Sequence, residues 1–120
     1  MSATSVIEKF IPRDLGPKTW GRELLVAHTE QYIAKVLWMR AGTSGPLQYH
    51  EQKDETFFLL SGRAQVKYRN DQGEFVTVVM LPGDAYHVPP MAPHQVAAID
   101  DCVFVEGSTP VFNDRVQVRA

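Results

Sequence analysis

Apolar side chains in this chain recur at every second position within short runs, and Gly, Pro, Asn and Asp separate the runs. The clearest runs are residues 31–39 (QYIAKVLWM), 55–60 (ETFFLL), 64–68 (AQVKY), 75–81 (FVTVVML), 95–99 (QVAAI) and 103–106 (VFVE). Several alternate apolar and polar residues, the pattern of a half-buried strand whose successive side chains point to opposite faces. Turn-forming clusters fall between them at 13–17 (RDLGP), 41–46 (AGTSGP), 61–62 (SG), 70–73 (NDQG), 82–84 (PGD) and 89–93 (PPMAP). No stretch carries a 3.6-residue apolar stripe of helical length. The pattern therefore predicts an all-β sandwich or barrel, with 70–73 closing a hairpin. The first thirty residues are less regular and read as an N-terminal arm or edge strands.

Composition narrows the picture. With 120 residues the chain fits one domain, 1–120, and its hydrophobic fraction of 44% suffices for a core without covalent staples. The net charge is −2, from 12 basic and 14 acidic side chains spread along the chain. No basic block is available to neutralise a phosphate backbone, so a nucleic-acid partner is not expected. No apolar run approaches the ~20 residues that span a bilayer, and the N-terminus does not read as a signal peptide. The single cysteine, Cys102, excludes an internal disulfide and a thiolate-rich metal site. It sits in a Val/Phe-rich run and is expected to be a small buried thiol, in a reducing cytoplasm.

Four side chains carry candidate chemistry: Gln48, His50, Glu55 and His94. Gln48 and His50 are two apart, so on a strand both face one side. Glu55 lies five beyond His50 and joins that side only if the chain turns or bulges within 51–54 (EQKD). His94 follows a proline-rich corner and arrives from a distant strand; inward positions of different strands meet inside a barrel. Two imidazoles, a carboxylate and an amide oxygen make a mixed N/O donor set for one divalent metal ion: Zn, Mn, Fe, Co or Ni. Without thiolates, a closed structural zinc site is not expected. Four ligands on a six-coordinate ion leave two positions for water or substrate.

The joint spacing resembles the cupin superfamily, whose first motif reads G-x5-H-x-H-x4-E-x6-G. Gly42, Gln48, His50, Glu55 and Gly62 stand at that spacing. The second motif, G-x5-P-x-G-x2-H-x3-N, is met by Gly83, Pro89 and His94. The resemblance covers residues 35–106 and implies a single small cupin-type jelly-roll barrel with the four residues as metal ligands. Three positions depart from the pattern: Gln48 replaces the usual first histidine, Met91 a glycine and Ala98 an asparagine. The last two read as turn and packing variations.

Within that superfamily, a Gln-His-Glu-His set is similar to that of mannose-6-phosphate isomerases and their small relatives. Residues 47–66 (LQYHEQKDETFFLLSGRAQV) resemble their signature, 18–21 (KTWG) their entry segment and 105–118 their C-terminal segment. The resemblance implies a sugar or sugar-phosphate isomerase or epimerase working through a metal-stabilised enediolate. It also implies a functional role at the position of Lys53, where those relatives often carry arginine. Lys53 and His87 are the candidate bases; the plainer readings are a solvated turn lysine and a rim or packing histidine. Arg63, Lys67 and Arg69 alternate with apolar residues and are expected to face outward, which weakens a phosphate clamp built on them. An iron- or nickel-dependent dioxygenase and a non-catalytic metal-dependent carbohydrate-binding module are the alternative functions. Val6, Ile7, Phe10 and Ile11 in the segment 1–13 would be exposed unless covered, either by a homodimer partner, as the cupin resemblance implies, or by folding back on the chain's own barrel.

Overall fold

A computed structural model describes residues 5–119 of the chain. Residues 1–4, part of the expected arm, lie outside the described residues. Eleven strands and no helix occur among those described: β1 (Arg13–Lys18), β2 (Gly21–His28), β3 (Ile33–Met39), β4 (Gln48–His50), β5 (Glu55–Ser61), β6 (Ala64–Arg69), β7 (Phe75–Met80), β8 (Ala85–Val88), β9 (His94–Ala98), β10 (Cys102–Ser108) and β11 (Arg115–Gln117). They form two antiparallel sheets, one ordered β1-β2-β3-β10-β5-β8 and the other β11-β4-β9-β6-β7. This is the all-β, two-sheet arrangement that the alternating pattern predicted, in the jelly-roll form that the resemblance implied.

The expected runs all become strands, with edges shifted by a residue or two. Residues 13–28, read as arm or edge, form a regular hairpin: β1 is an edge strand, but β2 lies inside the sheet between β1 and β3. Residues 5–12 have no regular structure, and Val6, Ile7 and Ile11 are exposed there. The short strands β4, β8 and β11 carry only three or four residues each, too few for alternation to be read from sequence.

Cross-strand register divides the interior into two ends. Leu37, Phe104 and Leu59 align across β3, β10 and β5, with Met39 opposite Cys102 one step further. The facing sheet supplies Ala98, Ala64 and Met80, also in register. Leu59, Ala64 and Met80 are fully buried. The Leu59 and Met80 side chains each contribute about 1.5–3 kcal/mol when taken out of water. Two residues along the same strands, the inward positions become charged. Lys35, Glu106 and Phe57 align, followed by Ser108 opposite Glu55. The fold therefore has an apolar end that holds it together and a polar end built on the same strands.

Candidate metal centre

Three of the four candidate ligands converge at the polar end. His50, Glu55 and His94 are all buried, and each offers one ligand atom such that these atoms lie within 4.8 Å of one another. The Glu55 carboxylate oxygen Oε1 is 3.5 Å from His50 Nε2 and 3.2 Å from His94 Nε2. Gln48 is the cross-strand partner of His94 and shares a strand face with His50, so it lines the same cavity.

The loop 51–54 solves the odd spacing of Glu55. Asp114 ties it down: its Oδ2 accepts the Gln52 and Lys53 backbone N–H groups at 2.7 and 2.9 Å. Thr109 holds the loop's other end, its hydroxyl accepting from the Asp54 N–H at 3.0 Å. The chain turns under these contacts, and Lys53 and Glu55, two apart, enter the interior together.

Asp114 and Ala92 also fix the histidine rings. Asp114 Oδ1 lies 3.0 Å from His50 Nδ1, and the Ala92 carbonyl lies 3.0 Å from His94 Nδ1. With each Nδ1–H donating outward, each Nε2 is aimed at Glu55, which is how metal-ligating histidines are oriented. Burial lowers the pKa of His50, although Glu55 and Asp114 oppose that effect. Burial works against the charged form of His94 too, but the Glu55 carboxylate and the Ala92 carbonyl outweigh it and the pKa is raised. His94 Nε2 thus faces the Glu55 carboxylate at the place a metal would take.

The donor set fits a divalent ion. Bonds of roughly 2.0–2.2 Å put adjacent ligand atoms about 3.0 Å apart on an octahedral ion, close to the 3.2 and 3.5 Å found. All three ligands are hard or borderline N/O donors, matched to the late divalent first-row metals.

Lys53 is not the solvated turn lysine that composition suggested; its side chain is only 7% exposed. Its ammonium is 2.8 Å from Glu106 Oε1 and 3.2 Å from Glu55 Oε2. Burial disfavours the charge, yet the two carboxylates prevail and raise the pKa. Two carboxyl groups therefore compete for one ammonium. Burial also penalises the Glu55 carboxylate, but His94 and Lys53 hold it ionised, far below the usual carboxylate range. Glu106 is pushed up by burial and by the neighbouring Glu55 charge, to about 7.

His87 lies elsewhere. It sits on β8 opposite Thr56, on the outer face, with its Nε2 2.8 Å from Asp54 Oδ1 and its side chain 60% exposed. Arg63, Lys67 and Arg69 also face away from the ligands: Arg63 pairs with Asp100, while Lys67 and Arg69 lie over Phe75. Sequence reasoning assigned no role to Glu106 or Asp114. The signal for Glu106 was present, since Cys102, Phe104 and Glu106 share the inward parity of one strand. Asp114 had no such signal, because its contacts span more than sixty residues.

Two departures from the motif have local explanations. Met91 adopts φ +69°, the left-handed region for which glycine is best suited, and donates its N–H to the His50 carbonyl at 2.7 Å. Ala98 is buried against Ala64, where an asparagine would have to place its amide in the apolar end.

Comparison with known proteins follows this geometry. Residues 36–106 match the family described as Cupin domain. No curated protein sequence matches the chain. Among solved structures, the chain is similar to the capsular polysaccharide assembling protein CapF from Staphylococcus aureus, with a TM-score of 0.79 and 15% identity over 92% of this chain and 32% of that one. It is similar to KdgF from Halomonas sp., with a TM-score of 0.73 and 23% identity over 85% of this chain and 91% of that one. It is also similar to oxalate decarboxylase from Bacillus subtilis, with a TM-score of 0.76 and 16% identity over 95% of this chain and 33% of that one. At these identities the likeness is one of fold. The chain spans about a third of the CapF and oxalate decarboxylase chains and nearly all of KdgF.

Proposed function

From the premise that this chain belongs to the cupin family, we propose that it is a metal-dependent sugar or sugar-phosphate isomerase or epimerase. Gln48, His50, Glu55 and His94 would hold one divalent ion. When bound, such an ion supplies Lewis acidity, polarising a carbonyl and a neighbouring hydroxyl. The observation that carries the reading is the pairing of that donor cluster with a Lys53–Glu106 ion pair in one buried cavity.

The chain's own groups account for the rest. Isomerisation moves a proton between adjacent carbons and needs a group that can take it and return it. Of the two carboxyls that face the cavity without serving as ligands, Glu23 is paired with Lys35, whereas Glu106 shares Lys53 with Glu55 and accepts a hydrogen bond from it at 2.8 Å. We assign proton transfer to Glu106. Lys53, held as an ammonium, keeps Glu106 in position and stabilises negative charge on a substrate oxygen. Lys53 therefore serves as cation rather than base. His87, facing outward onto Asp54, has no part in this scheme. The likeness in fold to CapF, a capsular polysaccharide assembling protein, is in keeping with a carbohydrate substrate.

A second reading, an iron- or nickel-dependent dioxygenase, draws on a different observation. A cavity of about 460 Å³ lined by Phe57, Tyr68, Tyr86 and Met91 reaches His94 from the other side and suits an apolar substrate. We further propose that the protein works as a homodimer, supported by the exposed Val6, Ile7 and Ile11. A reducing cytoplasm suits its one free thiol.

Anaerobic incubation of the metal-loaded protein with aldoses and their phosphates in D₂O tests the isomerase. Deuterium should enter at the carbon beside the carbonyl without O₂. Absence of exchange with every sugar, together with Fe²⁺-dependent O₂ consumption, would replace this reading with the second.

A further inference from the structure

Beside the ligand cluster lies a second cavity with a distinct electrical character. His50, Lys53 and Arg115 line both it and the inner cavity. The second cavity, about 240 Å³, lies between β1, the inward residues of β2 and β3, and the 111–115 segment. Five cationic side chains surround it: Arg13, Lys18, Lys35, Lys53 and Arg115. Only two carboxylates do, and both are engaged. Glu23 pairs with Lys35 at 3.2 Å, and the Asp114 oxygens are taken by His50 and the loop amides. Lys53 is matched by Glu55 and Glu106.

Arg13, Lys18 and Arg115 remain. Among the described residues none of the three has a carboxylate oxygen within 4.0 Å. The whole chain is net negative, at −2, so this local surplus of positive charge runs against the background. Arg115 stands opposite His50 across the β11–β4 pair, at the junction of the two cavities. A concave site lined by unmatched cations concentrates anions, and a guanidinium binds an oxyanion with two parallel hydrogen bonds.

We propose that this cavity is an oxyanion subsite, in which Arg115, Arg13 and Lys18 bind a carboxylate or phosphate carried by the substrate. The substrate's other end is directed toward the ligand cluster, past His50 and Lys53, which line both cavities. The substrate class is thereby narrowed to acidic sugars and sugar phosphates. That narrowing rests on the proposed isomerase reading, whereas anion binding does not.

The test uses the metal-free 120-residue chain, so that no anion can be held by a metal and no turnover can intervene. Amide NMR spectra are recorded while sodium phosphate or sodium acetate is added at constant ionic strength, with sodium chloride as the reference. Saturable shifts confined to residues 111–115 and to the amides of 13–18 are expected with at least one of the two oxyanions. The anion that saturates at lower concentration distinguishes phosphate from carboxylate recognition. Arg115→Gln should weaken that binding about tenfold, in line with the loss of one charge-assisted pair. Lys18→Gln, on the edge strand, gives an independent measure should Arg115→Gln disturb β11. No saturable shift with either anion would overturn the subsite, as would unchanged affinity in both variants. Loss of the isomerase reading in D₂O would leave this result standing.

Discussion

Replacing Asp114 by alanine tests whether the ligand histidines are held in place by the C-terminal segment. The carboxylate accepts from two loop amides at 2.7 and 2.9 Å and meets His50 Nδ1 at 3.0 Å. Hydrogen bonds to a charged acceptor are each worth roughly 1.5–3 kcal/mol. Alanine admits water to the loop, so the sum is not lost in full, and a stability loss of about 2–4 kcal/mol is expected. The effect on metal binding is separate. Without Asp114 the His50 ring loses the partner that sets its tautomer and direction, and such partners are worth about 10–100-fold in metal affinity.

The two effects are read by two measurements. Urea denaturation of the metal-free protein gives the stability change. Titration with Zn²⁺ against a chromophoric chelator at pH 7.5 gives affinity under conditions where both variants are folded. Asp114→Asn keeps one oxygen acceptor and should fall between parent and alanine. Asp100→Ala removes the exposed partner of Arg63, far from the ligands, and should leave Zn²⁺ affinity within about twofold. If Asp114→Ala binds Zn²⁺ within about twofold of the parent, the orientation of His50 by Asp114 is refuted.

Glu106 gives the metal-free protein a pH-dependent stability. Its folded pKa of about 7 lies above the ordinary 4.5, so the folded state holds the extra proton; the contribution is fully present below pH 4.5 and is lost as pH rises through 7. His94, also raised, adds to the decline, while the lowered pKa of His50 opposes it. Urea midpoints at pH 5 and pH 7.5 should therefore converge in Glu106→Gln, and an undiminished difference between them would exclude this source. Gly62 turns the chain between β5 and β6 at φ +86°, where an added Cβ meets the Asp101 carbonyl and the Cys102 sulfur. Gly62→Ala should lose more than the roughly 1–2 kcal/mol of the left-handed conformation alone. Gly73→Ala, at φ +78° with open space around its Cβ, should lose only that; equal losses on thermal denaturation would contradict the packing explanation.

The fold was legible because alternation is a local property. Residues 55–60 and 64–68 announce their strands, and the inward residues they name, Phe57, Leu59, Ala64 and Val66, are the buried ones. The convergence of His50, Glu55 and His94 was legible for a different reason: the motif fixes spacing, and spacing on strands fixes facing. Composition misjudged Lys53, because charge and a turn-like neighbourhood describe 51–54 as a surface loop. What buries Lys53 is Asp114, sixty-one residues away, pinning its backbone N–H while Glu106 receives its ammonium. Long-range partners of this kind leave no periodic trace in a single sequence.

The same distinction explains how one small barrel can keep charges inside. A buried charge is costly unless it is matched. Lys35 finds Glu23, Lys53 finds Glu55 and Glu106, and His50 finds Asp114. Among the described residues no buried side-chain nitrogen or oxygen lacks a partner. These pairs add little net stability, which the Leu59 and Met80 end supplies. Their arrangement instead leaves the two histidine Nε2 atoms and the Glu55 carboxylate facing one another, where a divalent ion would fit. The charged end of the barrel is accordingly better understood as a candidate metal site held ready than as part of the core.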